Sequence, residues 1–419
     1  ALDGEAPCQT LFRRLDQAAG WTRGSLSPQA VEALYGRKVA MSASRMDQYQ
    51  SCHFAYFLRY GLQAKDRRPA GFDAPAYGSF VHFVLERVLR ALRNQGGAAQ
   101  AEEETIRALT AQAVEDYVRQ ELGGMAHQTP RFRYLFYRLE RSVQAVVDNV
   151  VAELRDSDFQ PICFELGFGP GQDLPPVEIT QGGVTLRISG FVDRVDGWVE
   201  DGRLYLRVVD YKTGRKSFDL TEVWNGLGLQ MLLYLFTLEE EGEALFGRRP
   251  VPAGVLYLPA RDAMVAGSRT MDEAARRRLL DKKLLRRGLI LDQEEVVQAM
   301  EHGAGELRFL PLRVSARTGK ITGEALVSAQ KLGRLKQHIA HTLGQICQEI
   351  ARGNIDADPF WRGPNRNACQ YCVYAPACHF EEDTDRRHWV PSVRNREFWD
   401  WLAQEEGEGG KDHARTENP

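Results

Sequence analysis

Between residues 162 and 212 the apolar residues of this chain recur with a period of two, and on both sides of that window they recur at helical spacing. This switch limits the possible folds more than any other feature. Strands gathered in one block, with helices before and after, must pack as a sheet covered by helices. The segments "ICFELGF", "TLRISGFVDRVDGWV" and "LYLRVVDYK" are predicted as three successive strands, the last two joined as a hairpin by "EDGR". The third strand ends by placing Asp210 and Lys212 two residues apart before a Thr-Gly turn. Residues i and i+2 of a strand share a face, so acid and amine project together.

The helical stretches before the block are "SASRMDQYQSCHFAYFLRYGL" from Ser42, "YGSFVHFVLERVLRALRN", 101–122 and 132–154. After it come "GLQMLLYLFTLEE", a buried strand "AGVLYLPA", and helical segments at 272–300 and 326–351. The expected layout is a helical collar (41–160) around a small mixed α/β core (161–260). A helical and basic segment (261–350) and a cysteine segment (351–380) complete one domain over 41–390. Residues 1–40 read as a linker or the remnant of a preceding domain, and 391–419 as a tail whose charged, Gly-rich end is disordered. No internal repeat is visible.

Hydrophobic residues make up 43% of the chain and charged residues 26%, with net charge −3, as in an ordinary soluble globular protein. The longest apolar run, "MLLYLF", is too short to span a bilayer. Seven cysteines without a secretory signal favour a reducing, cytoplasmic setting and metal or cluster ligation over disulfides. No G-x-x-x-x-G-K-[ST] loop occurs, so ATP hydrolysis is not expected. "GFGPG" fails as a dinucleotide fingerprint because Gln172 stands where the third glycine belongs.

Asp193 follows the run Gly190-Phe191-Val192, and the hairpin sets it beside the strand that carries Asp210 and Lys212. Asp193, and not Asp196, is the candidate acid of its strand. Glu165 lies mid-strand between apolar neighbours, where a charge must be paired or metal-bound. Three carboxylates from neighbouring strands with one lysine suit Mg²⁺ (or Mn²⁺), a hard ion that could activate water against a phosphodiester. Gln230 and Tyr234 stand one helical turn apart as the polar groups of an otherwise apolar helix. His82 could pair with Glu86 at i+4, and His338 and His341 have the spacing of a solvated helix face.

"NACQYCVYAPACHF" supplies Cys369, Cys372 and Cys378, three thiolates that need a fourth. Cys8, Cys52, Cys163 and Cys347 are the candidates, and spacing alone does not choose between a [4Fe–4S] cluster and Zn²⁺. The basic runs "RFRYLFYRLER" and "ARRRLLDKKLLRR" are solvated faces or contacts for single-stranded DNA.

The elements "GFVDRVD", "DYKTG" and "LQMLLY" resemble the RecB-type branch of the PD-(D/E)XK nuclease superfamily, with Val192 in place of the proline of the name. The resemblance implies a restriction-endonuclease-like fold. Glu165, Asp193 and Asp210 would be metal-binding acids, Lys212 the catalytic lysine, Gln230 and Tyr234 a trailing Q-x-x-x-Y element, and His82 a further metal ligand. From about Tyr35 to about Phe380, including "LRRGLILDQEEVVQAM", the chain is similar to the AddB family, the B subunit of bacterial AddAB helicase–nucleases. That similarity implies an iron–sulfur staple of Cys52, Cys369, Cys372 and Cys378, with His53 replacing a usual proline. It also implies that residues 1–40 are a linker or the remnant of a preceding helicase-like domain. The implied function is Mg²⁺-dependent exonuclease action on DNA ends in recombinational repair, beside an AddA-like subunit. Two other readings remain: a free-standing exonuclease of CRISPR adaptation, and a non-catalytic iron–sulfur module that binds DNA ends.

Overall fold

The alternating block becomes the middle of a six-stranded sheet. The computed structural model of the chain describes residues 6–19, 23–65, 74–125, 129–214, 218–261, 263, 265–266, 270–303, 307–315, 317–382 and 385–407. Of the tail's expected disordered end, after Gln404, residues 405–407 close the helix Asn395–Gly407, and 408–419 lie outside the described residues. Two units emerge: one of Ala1–Asp66, Glu178–Leu186 and Leu343–Pro391, the other of Arg67–Val177, Arg187–Thr342 and Ser392–Pro419.

The second unit holds the sheet. Its strands are β1 (Gln160–Phe168), β2 (Gly190–Glu200), β3 (Arg203–Lys212), β4 (Pro250–Pro259), β5 (Arg287–Leu291) and β6 (Leu326–Val327), adjacent in that order. The pairs β1–β2, β2–β3 and β4–β5 are antiparallel, while β3–β4 and β5–β6 are parallel. Helices α1 (Ala74–Asn94), α2 (Glu103–Gln120) and α3 (Pro130–Arg155) cover one face. On α1 the residues Phe80, Val81, Val84, Leu85, Val88, Leu89 and Leu92 are buried at helical spacing. They pack in one core with Val209 and Tyr211 of β3 and Leu258 of β4. Thr129 caps α3 by accepting a hydrogen bond from the Phe132 amide at 3.2 Å, with Pro130 in the first turn. A parallel pair requires a crossover, and α4 (Gln230–Glu241) lies on the one between β3 and β4; its residues Met231 through Leu238 are all buried. No helix among the described residues is long and apolar enough to cross a membrane.

Arg194 and Asp196 point to the face of β2 away from Asp193 and join a buried charge network. Arg194 Nε and Arg207 Nε each lie 2.8 Å from Asp196, on Oδ1 and Oδ2. Arg286 Nη2 lies 2.7 Å from Glu153 Oε2, and Arg207 Nη2 is 3.5 Å from Glu153 Oε1. All five side chains are 0–1% exposed. Burial raises the Glu153 pKa, but Arg286, Arg207 and Arg194 together bring it down to about 2. Removing one member would strand a buried charge, at a cost of about 3–5 kcal/mol.

Lys38–Met41, Val184–Ile188 and Val177–Gln181 form a three-stranded sheet with Val184–Ile188 in the middle. Phe360–Trp361 pairs with His388–Trp389. Residues 1–40 carry helices Ala6–Ala19 and Pro28–Tyr35 as well as most of the first of these strands.

Several sequence expectations differ from the structure in their boundaries. "TLRISGFVDRVDGWV" forms two strands in different sheets, separated at Ser189. The segment 272–300 contains β5 between two helices. There Gly254 and Gly288 allow β4 and β5 to approach, since a Cβ on Gly288 would stand 1.8 Å from the Val255 carbonyl oxygen. The helix expected from Ser42 breaks at Cys52, whose backbone is extended (φ −173°, ψ 120°). His338 is buried rather than solvated: its ring stacks on Trp224 at 4.7 Å and Nδ1 lies 3.0 Å from Glu405 Oε2.

Candidate active site

The register of β1, β2 and β3 lines up the three acids. Phe164 opposes Arg194 and Leu166 opposes Val192, which sets Glu165 opposite Asp193. Arg194 opposes Val209, and one step beyond that last pair lie Asp193 and Asp210. Glu165 interrupts the ladder with φ +48°, a left-handed backbone that a non-glycine residue adopts at a cost of about 1 kcal/mol or more. Strain of this kind persists only where the surroundings hold it, and here it turns the Glu165 carboxylate toward His82 and Asp193. One ligand atom from each of His82, Glu165 and Asp193 can be chosen so that all lie within 4.8 Å of one another.

His82 reaches this point from α1. Its Nε2 lies 2.9 Å from the Tyr211 carbonyl oxygen and its Nδ1 3.5 Å from Asp193 Oδ1. The Tyr211 amide donates to Asp193 Oδ2 at 2.9 Å, so one peptide residue of β3 fixes both side chains. The possible His82–Glu86 pair does not form; Glu86 binds Arg90 at 2.8 Å. Asp210, one strand across from Asp193, is buried, and Lys212 Nζ stands 2.5 Å from its Oδ2. The same amine lies 5.1 Å from the centre of the Tyr257 ring.

The electrostatics are those of a site short of positive charge. Burial, then Asp193, pushes Asp210 up to about 6 despite Lys212. Burial, Asp193 and Glu86 push Glu165 up to about 7. Burial lowers the pKa of His82, but the hydrogen bond and charge of Asp193 and the Tyr211 carbonyl raise it to about 9. Carboxylate oxygens and an imidazole crowded in this way are a donor set that a divalent cation fits.

Gln230 and Tyr234 stand back from the acids. Gln230 Nε2 donates to the Tyr234 hydroxyl at 3.0 Å, and the Tyr234 ring meets Phe168 edge-on with centroids 4.9 Å apart. The hydroxyl sits where a Cβ on Gly190 would come within 2.6 Å, so this pair braces the start of β2. The buried Glu153–arginine network behind β2 and β3 was not anticipated from sequence. Its one signal was an alternation of charges, Arg194-Val195-Asp196, inside an apolar strand.

The four candidate cysteines lie in the other unit, and among the described residues only His82, Glu165 and Asp193 bring three such ligand atoms within 4.8 Å of one another. Cys52 is buried, Cys369 exposed, and Cys372 and Cys378 half-buried; none of the four is in a disulfide. Burial pushes the Cys52 thiol up to about 12, and Cys378 acts on it electrostatically. Cys372 and Cys378 likewise raise Cys369 after burial does. Asn367 Oδ1 accepts from the amides of Cys369 and Gln370 at 3.0 and 2.9 Å, and Arg23 donates to the Cys378 carbonyl. His53, next to Cys52, binds Asp358 through its amide (3.1 Å) and its Nδ1 (2.6 Å). The other thiols have other surroundings: Cys347 Sγ is 3.1 Å from the Val184 carbonyl oxygen, Cys163 interacts with Arg93, and Cys8 is half-exposed on its helix.

The profile of the PD-(D/E)XK nuclease superfamily matches residues 40–379. The chain is 34% identical to the B subunit of the ATP-dependent helicase/deoxyribonuclease of Desulforudis audaxviator, over 92% of its own length and 34% of the relative's. The protein of the same name from Anoxybacillus flavithermus is 33% identical over 89% of this chain and 33% of the relative. That from Clostridium novyi is 30% identical over 91% and 34%. The chain thus spans about a third of the length of these curated relatives.

Proposed function

Because this chain belongs to the PD-(D/E)XK nuclease superfamily, we propose that it hydrolyses phosphodiester bonds of DNA with Mg²⁺ or Mn²⁺. The observation that carries this reading is the row Glu165, Asp193 and Asp210 across three neighbouring strands, with Lys212 Nζ 2.5 Å from Asp210 Oδ2. His82, Glu165, Asp193 and Asp210 would hold the cation. When bound, the cation would polarise the phosphodiester and lower the pKa of a coordinated water. Lys212 orients the attacking water and offsets the charge that develops on the phosphate oxygens. Asp210 keeps that amine in place, while Gln230 and Tyr234 hold β2, and with it Asp193, in register.

Cys52, Cys369, Cys372 and Cys378 would hold a [4Fe–4S] cluster. In support, Cys369, Cys372 and Cys378 fall within one short segment and none of the four thiols is used in a disulfide. The named relatives support a wider role. The chain would be the nuclease part of a helicase–nuclease subunit, acting in the cytoplasm with an AddA-like partner on single-stranded tails at double-strand ends. Exposed Tyr134 and Tyr137 on α3, among Arg131, Arg133, Arg138 and Arg141, are suited to such a strand. The test is cleavage of an end-labelled oligonucleotide with and without Mg²⁺ or Mn²⁺. Cleavage should require the metal and vanish in Lys212→Ala; metal-dependent cleavage by that variant would overturn the assignment.

A further inference from the structure

One exposed side chain shares the acids' sheet face. Phe191 and Asp193 lie two residues apart on β2, so their side chains point the same way, separated by about 7 Å along the strand. Across the ladder Gly167 opposes Phe191, next to the position where Glu165 opposes Asp193. Phe191 is 51% exposed although it lies within a paired strand, beside Val192 at 2%. Single exposed apolar residues are ordinary, but the surroundings of this one are specific. A Cβ on Gly167 would come within 3.1 Å of Phe191 Cε1 and 2.4 Å of Gln172 Oε1. The bare backbone at Gly167 thus lets an aromatic ring and a carboxamide lie side by side over β1. Gln172 is itself exposed, and its loop is tied down. The Leu174 amide donates to the Gly167 carbonyl (3.1 Å), the Gly169 amide to the Leu174 carbonyl (2.9 Å), and the Gly167 amide to Asp173 Oδ2 (3.3 Å).

A flat apolar ring with an amide at its side, one nucleotide's reach from a row of carboxylates, matches a nucleobase: a π face and a hydrogen-bonding edge. We propose that Phe191 and Gln172 form a subsite for one unpaired base of the DNA strand whose phosphodiester is held at Asp193. The proposal rests on the nuclease reading above. Phe191 stacks on the base, and the Gln172 amide pairs with its edge. A base inside a duplex is covered on both faces by its neighbours, so only an unpaired or terminal base can occupy Phe191. The subsite therefore selects single-stranded over paired substrate and fixes where the strand is cut.

The test uses single-stranded oligonucleotides with one abasic position moved stepwise past the cleaved bond. Cleavage is measured in Mn²⁺, and binding by fluorescence anisotropy without metal. For the wild type, one abasic position beside the cleaved bond should weaken binding and raise KM about tenfold. Phe191→Ala should raise KM by a similar factor with kcat little changed, and should not respond to that abasic position. Phe191→Trp should restore both the affinity and the response. Gln172→Ala should alter the preference among the four bases at that position while keeping the abasic effect; unaltered preference removes Gln172 from the subsite. A wild type that binds with the abasic signature but does not cut overturns the nuclease reading and leaves the subsite standing. Equal response at every position, or a Phe191→Ala variant as sensitive as the wild type, overturns the subsite.

Discussion

The carboxylate row and the four cysteines have their side chains placed in opposite ways. Glu165, Asp193 and Asp210 are spaced by the ladder of β1, β2 and β3, so backbone hydrogen bonds place the side chains before anything binds. Cys369 sits in a turn, Cys378 ends the short helix Ala375–Cys378, and Cys52 stands at a helix break. Cys369, Cys372 and Cys378 fall within ten residues of one another, whereas Cys52 lies more than 300 residues earlier. What orients them is a handful of side-chain contacts: Asn367 to two amides, Arg23 to the Cys378 carbonyl, and His53 to Asp358. A hard cation that keeps its waters binds weakly and needs a pre-formed site. A set of thiolates can instead be ordered by what it binds, and then the ligand holds the fold together.

Breaking each group in turn should therefore produce opposite phenotypes. Asp210→Ala or Lys212→Ala should lower cleavage on the order of 10³-fold or more, the scale of losing a charged group aimed at the transition state. Thermal melting should hardly move, because the ladder remains. Cys52→Ser should do the reverse. A link from Cys52 to Cys369 closes a loop of more than 300 residues. The logarithmic rule puts its closure entropy on the order of 5 kcal/mol, a large share of a domain's stability. Iron and sulfide should be lost together and protease sensitivity should rise, with the same outcome at Cys369, Cys372 and Cys378 but not at Cys8, Cys163 or Cys347. Zinc in the wild type, or full iron in Cys52→Ser, would remove the contrast.

The rigidity of the sheet can be tested at Glu153, which contacts no residue of the acid row. Its carboxylate, held at about 2 by Arg286, Arg207 and Arg194 against the cost of burial, contributes stability above the ordinary carboxylate value near 4.5. That contribution is lost as pH falls through about 2, and its size is on the order of 3 kcal/mol. Glu153→Gln should thus lower stability at pH 7 by about 3–5 kcal/mol and flatten the acid limb of the stability profile. Urea unfolding at pH 7 and pH 3 checks both; a variant as stable as the wild type at pH 7 would show that the network is dispensable.

Much of this was legible in sequence because it follows local periodicity. The period-two block gave β1 and β3 within a residue or two, and the i, i+2 rule gave the Asp210–Lys212 pair found at 2.5 Å. Less legible was whatever depends on distant partners. The break at Ser189 is marked only by the Ser189-Gly190 pair, a weak turn signal that a strand also tolerates. Strand β5 was hidden because "RGLIL" is too short to separate from its flanking helices by period. The interruption at Cys52 answers to Asp358, three hundred residues away, and the left-handed backbone of Glu165 to neighbours on other elements. Propensity sees none of these.

The smallest expected effect sharpens the contrast from the carboxylate side. Without metal, Glu165 has its pKa raised to about 7, Asp210 to about 6 and His82 to about 9, with burial the first cause for the two acids and Asp193 the main cause for His82 after burial's opposing pull. Each folded-state value lies above the ordinary one. Each group therefore contributes stability that is full below its ordinary pKa and lost as pH rises through the folded one. The metal-free protein should become less stable between about pH 5 and pH 9, as ionised acids accumulate beside Asp193 and His82 loses its proton. A divalent cation binds the deprotonated set and reverses this loss, so its stabilising effect grows over the same window. At ten times its dissociation constant the cation stabilises by about 1.4 kcal/mol, a rise of a few degrees in Tm for a unit of this size. Adding Mg²⁺ should accordingly raise Tm by a few degrees at pH 8 and hardly at all at pH 5.5. Asp193→Asn should abolish the rise, and Cys52→Ser, though less stable throughout, should keep it. A Mg²⁺ shift of equal size at both pH values would mean that the acids are not the groups that answer to the cation.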